Sequence, residues 1–107
     1  MMTVKGTLDI GLVVDKVTHK DFVMRESKIA DAIAAVEKAP AGCSNILLRV
    51  YKAAEQLVSI GTLTDITADK LLSLPEEDLY PILDAQDDLL KKQRAGSEAS
   101  APIEPLS

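Results

Sequence analysis

The sequence predicts a small α+β domain, in which an N-terminal antiparallel β-hairpin is followed by a bundle of about four α-helices. Apolar and polar residues alternate from Val4 to Val14, which is the period of a β-strand, and a second extended run follows to Arg25. From about residue 28 onward, apolar residues recur every three or four positions, which is the period of an α-helix. The 107 residues suffice for one domain, and 47% hydrophobic but only 3% aromatic residues predict an aliphatic core.

The hairpin is predicted over about residues 4–25. Apolar residues occupy the even-numbered positions of its first half, and a second extended run begins at Val17. Only Asp15 and Lys16 separate the two runs, which is the shortest connection of an antiparallel hairpin. This turn lacks the glycine of the favoured two-residue turns, and Gly11 is expected to mark a β-bulge. The pattern therefore leaves the register of the hairpin open.

Helices are predicted at about residues 28–38, 45–60, 68–73 and 79–94. Each follows a residue whose side chain can cap a helix N-terminus, namely Ser27, Ser44, Thr67 and Asp78. Starting the last helix after Asp78 places Pro81 in its first turn, where a missing N–H breaks no intrahelical bond. Gly61 lies where the glycine that ends the second helix is expected.

The first predicted helix has apolar residues at helical spacing and an acidic residue near its start. Ile29, Ala32, Ile33 and Val36 recur every three or four positions, and Asp31 lies where the helix dipole favours a negative charge.

Residues 1–94 are predicted to form a single domain. Residues 95–107 contain few large apolar groups, and they are predicted to form a disordered tail.

Charge and hydropathy exclude several classes of function. The formal net charge of -5 argues against a nucleic-acid-binding surface, which concentrates Lys and Arg. No run approaches the roughly 18 apolar residues of a membrane span, and no signal peptide is recognisable. The single cysteine, Cys43, cannot form an internal disulfide, which favours a reducing cytoplasm. We expect a cytoplasmic protein that binds neither nucleic acid nor membrane.

No catalytic, cofactor or metal site is expected, and the chain is not predicted to be an enzyme. His19 is the only histidine, with no second metal-ligand residue placed beside it. The aspartates of the last helix lack the glycine-containing loop of a calcium site. Their spacing instead predicts ion pairs of Asp87 with Lys91 and of Asp88 with Lys92 on a solvated face.

Surplus apolar residues are the more informative feature. Leu48 lies within the otherwise polar arc of its helix, and four leucines are crowded into residues 71–79. For so small a core, some of these side chains are expected to stay exposed and meet a partner. The alternative, in which residues 71–74 cover the helix pair, is equally consistent with the sequence.

An ordered set of segments resembles the small tail assembly chaperones of Mu-like contractile-tailed phages and related prophages. The segments are residues 11–17 and 22–26, Asp31 in a short Ala-rich helix, residues 56–61, residues 71–74, the pair Asp78-Leu79 and Ala85. The resemblance covers roughly residues 8–94. Asp15-Lys16 departs from the family pattern, in which a glycine is expected in the hairpin turn.

The resemblance implies a non-structural factor that acts in the host cytoplasm during phage assembly. Such a factor binds the long, helical tape measure protein, keeps it soluble and helps tail-tube subunits to polymerise around it. We hypothesise that the client surface includes Leu48, Leu71, Leu72, Leu79 and Leu83. The alternative is a minor structural component of the virion tail, and the sequence leaves open whether the chain forms a homo-oligomer.

Overall fold

The computed structural model describes residues 2–100, and it describes side chains through residue 95. The strands are β1 (Thr3–Val14), β2 (Val17–Arg25) and β3 (Leu57–Ile60); the helices are α1 (Ile29–Lys38), α2 (Asn45–Gln56), α3 (Ala68–Leu72) and α4 (Leu79–Ser100). A single turn of 3-10 helix, Glu76–Asp78, joins α3 to α4. The predicted α+β fold, with a hairpin followed by four helices, is confirmed.

The hairpin of β1 and β2 is antiparallel, with Val14 opposite Val17 next to the turn. Asp15 and Lys16 have φ values of 51° and 66°, so both adopt the left-handed conformation of the favoured two-residue turn without a glycine. The register shifts in the second half of β1, where Gly11 has a φ of 109°. The predicted bulge at Gly11 is therefore confirmed.

The second helix ends four residues earlier than predicted. α2 stops at Gln56, and residues 57–60 form β3, which pairs antiparallel with β2. Leu57 and Ile60 are both buried, so the extended chain places two core side chains while its backbone pairs with an otherwise open strand. Gly61 does not end α2; it follows β3 with a φ of 60° and donates its N–H to the Asp21 carbonyl oxygen at 2.6 Å.

The core lies between one face of the sheet and the helices α2 and α4. It is aliphatic as predicted, apart from one phenylalanine and one methionine. Its most buried large apolar side chains are Leu8, Phe22, Met24, Ile60 and Leu89. The sheet thus supplies the platform on which α2 and α4 are positioned.

α1 turns most of its apolar residues outward. It packs against α2, and Ala35 is the buried apolar residue on that side. Ile29, Ile33 and Val36 are 81%, 53% and 61% exposed. The helix begins after Lys28, one residue later than the predicted cap at Ser27. The predicted helical spacing is therefore correct, but the apolar stripe it defines faces outward from the described fold.

α4 is longer than predicted. Its backbone is helical to Ser100, whereas the sequence predicted an end at residue 94. The predicted disordered tail therefore overlaps the helix over residues 95–100, and its remainder, residues 101–107, lies outside the described residues.

The predicted ion pair between Asp88 and Lys92 is confirmed, with 3.4 Å between the ammonium nitrogen and the carboxylate.

A polar network joins α2 to α4 and β2. The Gln86 Nε2 donates to the Gln56 Oε1 at 3.0 Å and to the Arg49 carbonyl oxygen at 3.1 Å. The Gln56 Nε2 donates to the Arg25 carbonyl oxygen at 3.1 Å. Asp87, predicted to pair within its own helix, instead pairs at 3.0 Å with Arg49, which reaches it from α2. These bonds fix the two long helices relative to each other.

A bidentate ion pair ties the end of β2 to the first turn of α1. Both Nη atoms of Arg25 donate to the carboxylate of Asp31 at 2.7 Å, and the Lys28 N–H donates to the same carboxylate at 2.8 Å. Arg25 also donates to the Glu55 carbonyl oxygen at 2.8 Å, which connects α2 to the pair. The hydrogen bonds from Arg25 hold the pKa of Asp31 below its ordinary value, against the opposing effect of burial.

Replacing Asp31 with Asn is expected to lower the free energy of unfolding at pH 7 by about 2 kcal/mol, because it removes charge-assisted bonds from a mostly buried arginine. Since folding lowers the pKa of Asp31, its contribution is present above the carboxyl's ordinary pKa of 3.8 and is lost as pH falls through the folded-state value. Urea unfolding should therefore show the gap between parent and variant shrinking below pH 3.8. A gap that stays constant into that range would contradict the assignment.

Candidate docking groove

An apolar groove lies between α2, α3 and the start of α4. Its volume is about 230 Å³. Buried Val50, Leu71 and Ile82 line its floor, while Ile46 and Leu72, each about half exposed, line its rim. A cavity of about 150 Å³ with similar walls holds one benzene molecule. The groove therefore has room for one or two large apolar side chains.

Capping residues position two of the groove's walls. Ser44 begins α2 by accepting the Leu47 N–H at 3.1 Å, and Thr67 begins α3 by accepting the Lys70 N–H at 3.3 Å. Both caps were predicted from the sequence and are confirmed. Pro75 then leads the chain toward α4 and also lines the groove. Because these caps fix where each helix starts, they fix which side chains face the groove.

Asp78 anchors the segment between α3 and α4 to the sheet. It directly precedes α4, as predicted, but its fully buried carboxylate is bonded elsewhere. Oδ1 accepts the N–H of Ile10 at 2.8 Å, and Oδ2 accepts the N–H of Gly11 at 2.9 Å. One carboxylate thus satisfies two backbone donors of the β1 bulge. The predicted role of this side chain as an α4 cap is replaced by a bond across the fold.

The groove collects three of the five leucines predicted to form the client surface. Leu71, Leu72 and Leu79 line it together. Leu48 and Leu83 are half-buried and do not line it. Leu71 is buried in the core, as expected if these leucines cover the helix pair, while Leu72 is half exposed. A partner role for all five leucines stays a prediction.

Five residues that line the groove were not among those predicted to form the client surface. They are Ile46, Leu47, Val50, Leu74 and Ile82. Ile46 and Val50 lie four residues apart on α2, and Leu79 and Ile82 lie three apart on α4, so helical spacing would have placed each pair on one face. The sequence does not reveal that these two faces converge.

The groove lining contains one acidic side chain. Glu76 is the one ionisable residue among the described residues that line it, and Glu77 follows on the exposed side of the same turn. The ammonium group of Lys70 on α3 donates a hydrogen bond to the Asp65 carbonyl oxygen. The charge that Glu76 and Glu77 contribute here is negative, while the Lys70 ammonium group is bonded to the loop before α3.

The described residues also bear on other classes of site. Within residues 2–100, no group of three or more His, Cys, Asp or Glu side chains is placed to hold a metal ion. No helix in the same part of the chain is long and apolar enough to cross a membrane. His19 is half-buried on β2, and Cys43 is a half-buried free thiol ahead of α2.

The chain matches no protein-family model, no curated protein and no solved structure. Support for a function therefore comes from the groove, from the charge of the chain and from the resemblance carried by its sequence.

Proposed function

We propose that this protein is a phage tail assembly chaperone that binds the tape measure protein, keeps it soluble and promotes assembly of the tail tube around it. The observation that carries the proposal is the apolar groove between α2, α3 and α4, which leaves Ile46 and Leu72 about half exposed. The ordered resemblance over residues 8–94 supplies the identity of the client.

The groove suits a helical client. An amphipathic helix binds by laying its apolar face into a groove of this kind and inserting side chains spaced three or four residues apart. The walls are held by the α2 cap at Ser44, by the Asp78 bonds to β1 and by the Gln86 network. A groove with fixed walls loses little entropy on binding, which favours capture of a client that otherwise aggregates.

The exposed surface supports the same role. The outward stripe of Ile29, Ile33 and Val36 on α1 adds apolar area that a second part of a long client can cover. The net charge of -5 disfavours self-association of a chain with this much exposed apolar surface, and it disperses the loaded complex.

The proposal assigns the protein to the host cytoplasm during assembly, with the tape measure protein as principal client and the tail-tube protein as a second partner. It is non-structural, so it leaves before the virion is complete. This last property separates it from a minor tail component, which stays in the particle.

Co-expression with the tape measure protein of the same gene cluster tests the proposal. We expect the tape measure protein to become soluble and to co-elute with this chain in size-exclusion chromatography, while mass spectrometry of finished particles lacks this chain. An insoluble tape measure protein, with this chain eluting alone and present in particles, would instead identify a virion component.

A further inference from the structure

We propose that the occupant of the groove is an amphipathic helix that carries a lysine or arginine beside its apolar stripe. The inference deepens the proposed function and rests on it, because it takes the groove between α2, α3 and α4 to be the client site. It adds the charge of the bound segment, which the apolar lining alone does not specify.

The apolar part of the groove sets how much of the helix enters it. With a volume of about 230 Å³, the groove takes one or two large aliphatic side chains and excludes a whole helix. Side chains at positions i and i+3 or i+4 lie together on one face of a helix. The occupant therefore inserts such a pair between Leu72 on one side and Ile46 on the other, and the rest of the helix lies over the rim.

The charged residues around the groove indicate which charge the bound helix carries beside its apolar stripe. Glu76 lines the groove and Glu77 is exposed beside it, and neither forms an ion pair within the described part of the chain. The third acid of the turn, Asp78, is buried and committed to the β1 backbone. Two negative charges, one in the groove lining and one on the next residue, are thus available to a partner.

The basic side chains of α2 and α3 that form ion pairs do so with other acids. The ammonium group of Lys70 is bonded to the Asp65 carbonyl oxygen and lies 4.0 Å from the Asp65 carboxylate. Arg49 lies on another side of α2, where it pairs with Asp87. A basic side chain beside Glu76 and Glu77 therefore meets negative charge that no ion pair compensates, whereas an acidic one meets like-charge repulsion.

Two synthetic peptides test the inference. Both carry the same apolar stripe on a helical scaffold, but one has lysines at the flanking positions and the other has glutamates. Two exposed ion pairs together correspond to a difference of about two- to thirtyfold in Kd. Fluorescence anisotropy should show the lysine peptide binding more tightly by this factor, with the difference shrinking at high salt. Equal affinities, or binding of neither peptide, overturn the inference.

A pair of charge variants locates the effect. Glu76→Gln with Glu77→Gln should remove the preference for the lysine peptide, whereas Glu37→Gln with Asp84→Asn changes the net charge equally at exposed positions outside the groove lining and should preserve it. An equal loss in both variants would assign the preference to overall charge and overturn the inference. If the tape measure protein co-elutes while the peptides show no preference, the inference fails and the proposed function stands.

Discussion

Replacing Asp78 with Ala is expected to lower the free energy of unfolding by about 3 kcal/mol. The change leaves the N–H groups of Ile10 and Gly11 without their acceptor at a bulge where Gly11 is buried. Each buried donor without a partner costs about 1–3 kcal/mol. Because domains of this size are stable by only about 5–15 kcal/mol, the loss is a large share of the total and is measurable by urea unfolding.

Two further variants make the result specific. Glu77→Ala removes a carboxylate from the adjacent exposed position, so it should change stability by no more than about 0.5 kcal/mol. Asp78→Asn keeps one acceptor oxygen and should fall between the two alanine variants. If Asp78→Ala were as stable as Glu77→Ala, the carboxylate would not hold β1 to the start of α4, and the described anchoring of the groove would be wrong.

Replacing Leu72 with Asp is expected to weaken binding of the proposed client, the tape measure protein, by about 30-fold or more. The leucine lines the groove yet is 50% exposed, so the aspartate can stay solvated in the free protein and the fold should be preserved. On binding, that charge would be buried against apolar side chains. Leu72 lies on the groove rim but flanks the pair of side chains that the proposed client inserts, so it would lie at the centre of the interface. A loss of 2 kcal/mol or more is typical of such a residue, and about 1.4 kcal/mol corresponds to tenfold.

Leu90→Asp is the matched control for this variant. Leu90 on α4 is 46% exposed and does not line the groove, so the chemical change and the initial exposure are nearly the same. Circular dichroism and urea unfolding establish that both variants are folded, and co-elution with the client measures binding. Equal binding losses in the two variants would show that the groove is not the client site.

Local patterns predicted the elements that are decided locally. The alternation of apolar residues gave the hairpin, and Ser44 and Thr67 marked the starts of α2 and α3. Each of these signals acts within a few residues, since a strand's faces and a helix's first turn depend on neighbouring positions. The same holds for Gly11, whose bulge was expected from a glycine inside an apolar strand.

Elements decided by distant partners were not predictable in this way. Leu57 and Ile60 fit a helical pattern equally well, and only the open edge of β2 makes them a strand. The buried carboxylate of Asp78 bonds a backbone segment 67 residues away, so nothing beside it in sequence separates a helix cap from this anchor. The spacing of Leu57 and Ile60 thus fits a helix and a strand alike. The bonding partner of Asp78 is far away in the sequence.

The candidate site shows the same division. Leu71, Leu72 and Leu79 were expected at a client surface because leucines are crowded there, and they do line the groove. The other half of the groove comes from α2, whose approach to α3 and α4 is a matter of tertiary packing. The outward stripe of α1 has the periodicity of a core-facing helix, and periodicity alone does not say whether such a face is covered.

Hydrogen exchange of this chain, free and in complex with the tape measure protein, tests the account most directly. Client binding in the groove should slow amide exchange in α3, in the Glu76–Asp78 turn and in the first turn of α4 relative to the free chain. Exchange in the β1–β2 turn at Asp15 and Lys16 should stay unchanged. A complex that forms with protection elsewhere and none along the groove would contradict the account.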